Sequence, residues 1–116
     1  MIALVDDDPD LRETISDILR DAGYGTLAFP GAREALAGLR ALKGTPALIL
    51  LDLMMPGMSG WEFRDEQLRD PVLRDVPVVV ITACRDLARH PISANEILHK
   101  PVDVETLLAS VARNRG

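Results

Sequence analysis

The strongest constraint in this sequence is an alternation. Short, wholly apolar runs take turns with stretches whose apolar residues recur at helical spacing. Ala47-Leu48-Ile49-Leu50-Leu51 and Val76-Pro77-Val78-Val79-Val80-Ile81 have no polar face. A strand buries both faces only inside a sheet with helices above and below it, so these runs read as central parallel strands. Pro77 lacks a ladder N–H and is tolerated only at the strand's start. Ile2–Val5 reads as another buried strand, residues 25–29 as a weaker one and residues 97–98 as a short last one. Between them, Leu11, Ile15, Ile18, Leu19 and Ala22 share one helical face, with Asp8-Pro9 as N-cap and first helical position and Gly23 as the stop. Residues 32–42 present Leu36, Leu39 and Leu42 and end at Gly44. Residues 60–68 form a third helix, and Asp103 caps a last one with Val104, Leu107, Leu108 and Val111 inward. Strand and helix repeated five times predict an α/β fold, a doubly wound parallel sheet with helices on both faces.

A length of 116 residues suits one domain, 1–116, with no linker, internal repeat or low-complexity segment and no output domain. The net charge of −5 disfavours direct binding of nucleic acid or of an anionic membrane surface, but an acidic cluster suits a divalent cation. A single cysteine, Cys84, excludes an internal disulfide or a cysteine zinc site. No apolar run is long enough to span a bilayer and no signal-type segment opens the chain, so a cytoplasmic protein is expected.

In such a sheet the chemistry lies just past the carboxyl ends of the strands. Asp6, Asp7 and Asp8 follow the first strand, Asp52 the third, Thr82 the fourth and Lys100 the fifth. Carboxylates gathered in one cleft repel, and a bound cation relieves them. Oxygen ligands without a cysteine or a histidine pair select Mg²⁺ over zinc or copper. A cation, an alcohol and an ammonium together offset the charge of a transferring phosphoryl group, with one carboxylate as nucleophile.

The segments Val5-Asp6-Asp7-Asp8, Leu51-Asp52-Leu53-Met54-Met55-Pro56-Gly57-Met58-Ser59-Gly60, Ile81-Thr82-Ala83 and His99-Lys100-Pro101 resemble, in order, the signatures of response-regulator receiver domains. Gly60-Trp61-Glu62-Phe63 is also similar to many members. The resemblance covers essentially the whole chain. It implies the flavodoxin-like strand order 2-1-3-4-5 and a phosphorelay function. Asp52 resembles the phosphoacceptor, fed by a sensor histidine kinase or a phosphotransfer protein. Asp7 resembles the direct Mg²⁺ ligand, and Asp6 the neighbour acting through water. Asp52 itself and the backbone carbonyl of Met54 complete the metal set. Thr82 resembles the hydroxyl that bonds the phosphoryl oxygen and shifts inward, and Lys100 the cation that pairs with Asp52. The family usually has a cis bond before the proline at Lys100-Pro101. Ala83 leaves room for the incoming group.

Several residues carry plainer readings. Asp8 is a helix cap rather than a ligand. Leu11 stands where a calcium-binding loop needs glycine. His90 and His99 are surface residues, Cys84 an inert small neighbour of the site, and Trp61 and Phe63 packing residues. Two features depart from the family. Only 18 positions separate Thr82 from Lys100, and Pro91 stops the stretch after His90, so the fourth helix is expected to be truncated or irregular. The switch position three before the lysine, usually aromatic, is Ile97. The usual homodimer or partner face, built from the fourth helix, fifth strand and fifth helix, is therefore expected to differ. Met54 and Cys84 occupy the positions that tune autodephosphorylation and neither orients water well, which implies slow self-hydrolysis. The competing function is a phosphorylation-independent pseudo-receiver acting as an interaction module. A haloacid-dehalogenase-type phosphatase with Asp6 as nucleophile would need an acidic metal motif after the lysine, where little chain remains.

Overall fold

The computed structural model describes residues 1–115; Gly116, the last residue of the expected domain, lies outside the described residues. Each apolar run becomes a strand: β1 Ile2–Val5, β2 Thr26–Phe29, β3 Leu48–Leu51, β4 Val78–Thr82 and β5 Glu96–His99. They form one five-stranded parallel sheet in the expected order β2-β1-β3-β4-β5. β1, β3 and β4 are buried at every position. This is why they carry no polar alternation: helices cover them on both sides. β4 begins at Val78, one residue past Pro77, whose carbonyl accepts Ile49 N–H at 2.9 Å.

The helices are α1 Pro9–Asp21, α2 Ala32–Arg40, α3 Gly60–Arg69 and α4 Val104–Asn114. The pleat divides the core in two. Ile2, Leu4, Leu48, Leu50, Val79 and Ile81 meet Ile15 and Leu19 of α1 with Leu107 and Val111 of α4. Ala3, Val5, Ile49, Leu51, Val78 and Val80 meet Leu36 and Leu39 of α2 with Phe63 of α3. Asp8 caps α1, accepting Asp10 and Leu11 N–H, with Pro9 in the first turn. Ser59 and Glu62 form a reciprocal capping box on α3. Asp103 accepts Thr106 N–H at 2.7 Å to cap α4. Gly23, at φ 93°, takes the left-handed turn that ends α1.

The truncated fourth helix of the sequence pattern is not a helix. Among the described residues the stretch between β4 and β5 holds only a turn at residues 87–89, where Arg89 and His90 N–H both reach Asp86 O at 3.2 Å. Pro91 supplies no N–H and disfavours helical backbone at His90, so the turn cannot propagate. Five strand–helix repeats are thus five strands and four helices, and the helix expected fifth is α4. The anticipated output face loses its first element. Its remainder is fastened by Glu96 of β5, which accepts Ser110 Oγ at 2.8 Å, Arg113 Nη2 at 2.7 Å and Asn114 Nδ2 at 2.9 Å from α4.

Gly60 fixes α3 to the sheet. Its N–H reaches Leu53 O at 3.0 Å, and a Cβ there would lie 2.5 Å from Asp52 O and 2.6 Å from Leu53 Cα. Both obstacles are main chain and cannot swing aside. Gly60→Ala is expected to lower stability by about 1–3 kcal/mol, the usual cost of overpacking, read as a lower urea midpoint with an unchanged slope.

Candidate phosphoacceptor and metal site

Backbone hydrogen bonds run past the strand ends and set the site. Asp52 N–H reaches Val5 O at 2.9 Å, Asp6 N–H reaches Phe29 O at 3.2 Å, and Lys100 N–H reaches Thr82 O at 2.8 Å. Residues from distant parts of the sequence are therefore stepped side by side across the carboxyl edge. Asp6, Asp52 and Thr82 are at most 4 % exposed, whereas Asp7 is exposed and Lys100 is half-buried.

Lys100 Nζ donates to Asp6 Oδ2 at 3.1 Å and lies 3.6 Å from Asp52 Oδ2. The ammonium thus bridges two acids, closer to Asp6 than to the Asp52 partner the resemblance implies. Asp6 Oδ1 accepts Asp8 N–H at 2.9 Å, and Asp52 Oδ1 accepts Met54 N–H at 3.4 Å. Thr82 Oγ1 accepts Cys84 N–H at 3.0 Å, a turn-type bond just beyond β4. The Lys100–Pro101 bond is cis, as the family pattern implies.

Burial pushes the Asp52 carboxyl above its ordinary value; Lys100 opposes this and the charges of Asp6 and Asp7 add to it. For Lys100, burial alone would lower the ammonium, but the Asp6 hydrogen bond and the charges of Asp52 and Asp6 prevail and raise it. One ammonium does not neutralise three carboxylates. Carboxylate oxygens of Asp6, Asp7 and Asp52 lie within 4.8 Å of one another, with no cysteine or histidine in the set. An all-oxygen cluster of this charge fits a hard divalent cation.

The other sequence readings fall into place by location. Asp8 is bound up in capping. His90 and His99 are exposed, Phe63 is core, and the Met54 side chain is 58 % exposed, so only its backbone faces the acids' loop. Trp61 does more than pack, as its indole N–H donates to His90 O at 2.9 Å. Sequence reasoning missed Arg12, whose Nη1 donates to Asp6 O at 2.8 Å and ties the first turn of α1 to the end of β1. A basic residue one turn into a helix that follows an acidic loop was the available signal.

Fold and site define a flavodoxin-like α/β module with an acidic cleft at the switch point of strand order. The model of the response regulator receiver domain matches residues 2–112, and the chain belongs to that family. It is 35 % identical over 114 residues to the DNA-binding response regulator MtrA of Mycolicibacterium smegmatis, covering 95 % of this chain and 48 % of MtrA. The chain spans about half the length of the curated relatives it matches. Among solved structures, the receiver domain of a signal transduction histidine kinase from Syntrophus aciditrophicus superposes with a TM-score of 0.88 at 30 % identity, covering 98 % of this chain and 88 % of that one. Response regulator TrrA of Thermotoga maritima, solved with Mg²⁺ and a beryllium fluoride, gives 0.84 at 30 % identity, covering 97 % of this chain and 96 % of that one. Among the described residues no helix is long and apolar enough to cross a membrane.

The raised Asp52 carboxyl carries a sign. A group that binds its proton more tightly when folded gives stability that is full below the unfolded value, near 3.8, and is lost as pH rises through the higher folded value. Ionising Asp52 therefore costs the folded state stability. Asp52→Asn is expected to stabilise the cation-free protein by about 1 kcal/mol, as relief of a functional-site conflict commonly does. Thermal melts should show that advantage shrinking towards acid pH; a variant less stable than wild type at pH 7 contradicts the reading.

Proposed function

We propose that residues 1–116 act as one phospho-accepting switch, taking a phosphoryl group from a phosphohistidine of a sensor kinase or phosphotransfer protein. A carboxylate oxygen of Asp52 attacks phosphorus, the P–N bond breaks with its electron pair leaving on the imidazole, and an acyl phosphate remains. Lys100 takes one phosphoryl oxygen and Thr82 donates its hydroxyl to another. Asp6, Asp7, Asp52 and the Met54 carbonyl would hold Mg²⁺, which supplies positive charge against the oxygens in transfer. Arg12 keeps the Asp6–Asp7 turn in place. Ala83, exposed beside the site, adds no bulk against the incoming group. The domain is a self-modifying switch rather than a turnover enzyme. Its net charge of −5 favours protein partners over direct contact with nucleic acid or membrane, and a kinase-fed switch works in the cytoplasm.

The observation that carries this reading is Lys100 Nζ, 3.1 Å from Asp6 and 3.6 Å from Asp52, both of them buried, with Thr82 on the adjacent strand end. A structural ion pair needs one acid. Two acids on one ammonium, plus Asp7 within reach, leave negative charge for an external cation to meet.

Acetyl phosphate with Mg²⁺ should add one phosphoryl mass to the intact protein, and Asp52→Ala should abolish it. Addition that survives in Asp52→Ala, or none in wild type, sinks the assignment. Once formed, the acyl phosphate should persist for minutes or longer, because neither Met54 nor Cys84 positions water by charge-assisted hydrogen bonding. Phosphate release in seconds from desalted phosphoprotein with Mg²⁺ would contradict this.

A further inference from the structure

The stretch between β4 and β5 has lost its helix, yet it is held. Trp61 Nε1 donates to His90 O at 2.9 Å, and the indole meets the imidazole edge-on at 6.2 Å between centroids. One turn along α3, Arg64 Nε donates to Ser93 O at 2.8 Å while its Nη1 donates to Gln67 Oε1 at 2.7 Å. Among the described residues these are the two tertiary hydrogen bonds that residues 85–94 make. Both come from side chains on one face of one helix.

The same stretch is joined to the site at its other end. Cys84 N–H reaches the buried Thr82 hydroxyl at 3.0 Å, and Cys84, Trp61, His90 and Met54 line one groove of about 660 Å³. A hydroxyl donates one hydrogen bond and accepts others. Thr82 can therefore turn its proton to a phosphoryl oxygen while still accepting Cys84 N–H, and it then draws the Cys84 peptide towards Asp52. Slack is short: five residues separate Cys84 from His90, and one turn at Asp86 takes up part of them. Displacement at Cys84 therefore loads the Trp61 and Arg64 bonds.

Resting on the phosphoacceptor reading, we propose that Trp61 and Arg64 form a strap on residues 85–94 that opposes the phosphorylated state and is released by it, so that the signal leaves through α3 rather than through residue 97. Ile97 has no ring to occupy the space a moving Thr82 vacates, whereas the strap lies on the path Thr82 pulls. Coupling is reciprocal: a contact that phosphorylation breaks must, when deleted, favour the phosphorylated state.

The chain has one tryptophan, so its emission reports the strap directly. Beryllofluoride with Mg²⁺ serves as the phosphoryl mimic, and ¹⁹F resonances of the bound species report occupancy independently. Binding should shift Trp61 emission and speed amide exchange in residues 85–94. Arg64→Ala should bind the mimic about fivefold more tightly, within the usual range of coupling between sites, and should move the unliganded emission towards the bound value. Trp61→Phe removes the five-membered ring with the N–H that holds His90, and residues 85–94 should then exchange rapidly even before the mimic is added. Ile97→Val should leave the emission response intact. Occupancy confirmed by ¹⁹F with emission and exchange unchanged overturns the strap alone, as does unaltered affinity in Arg64→Ala. No bound resonance in wild type overturns the phosphoacceptor reading and the strap with it.

Discussion

Lys100 stands between two carboxylates that the sheet has already buried. Their position is set by the strand ladders, which continue one residue past the carboxyl ends of β1, β3 and β5 and hold the backbones of Asp6, Asp52 and Lys100 in step. Buried acids in contact would each take up a proton or push the strands apart. The ammonium at 3.1 Å and 3.6 Å prevents that. With three acids in the cluster it leaves the cleft unbalanced. That residual charge is the chemical capacity of the domain. A divalent cation entering the cleft would meet carboxylates already arranged to receive it, so little reorganisation would be needed.

Such a conflict is tolerable because the rest of the fold is consistent. The three central strands are buried on both faces, and two aliphatic clusters fill the space between sheet and helices. Few aromatics are needed: Phe63 and Phe29 are the buried rings in the α2–α3 cluster, and the other buried members are aliphatic residues and Met55. Local frustration confined to one edge of a well-formed core is the usual signature of a working site.

Helix α3 joins these two regimes. Its first residue, Gly60, has no side chain because the Asp52–Leu53 backbone occupies that space. Its buried face supplies Phe63 and Gln67; Gln67 donates to the carbonyls of Leu73 and Val76 and so fixes the lead-in to β4. Its outer face supplies Trp61 and Arg64 to a segment with little hydrogen bonding of its own. Segments anchored by few hydrogen bonds open at lower cost than core elements, and here, beside the packing of Leu87, Ile92 and Ala94 on the core, both tertiary hydrogen bonds come from the helix that abuts the Asp52–Leu53 backbone.

Most of the fold was legible in one dimension. Period, caps and breakers depend on neighbours a few residues apart, so Asp8-Pro9, Gly23 and Asp103 marked helix ends without knowledge of the tertiary structure, whereas the Ser59 capping box was seen only in the structure. The apolar runs of β3 and β4 announced their double burial, and the residues after each strand announced the site. Sequence alone also showed that the stretch before Lys100 was too short and too broken by Pro91 for an ordinary helix. It did not show that the helix would vanish, because a single turn survives or melts according to what packs against it. Nor did it show that Lys100 would favour Asp6 over Asp52, that Arg12 would reach the Asp6 carbonyl, or that Trp61 and Arg64 would hold His90 and Ser93. Those are contacts between residues far apart in the chain or around a bend, set by strand register and helix placement to within an ångström. Local chemistry determined which elements form and which residues carry charge or a nucleophile; three-dimensional packing decided which of those groups touch, and only touching groups exchange hydrogen bonds or shift one another's protons.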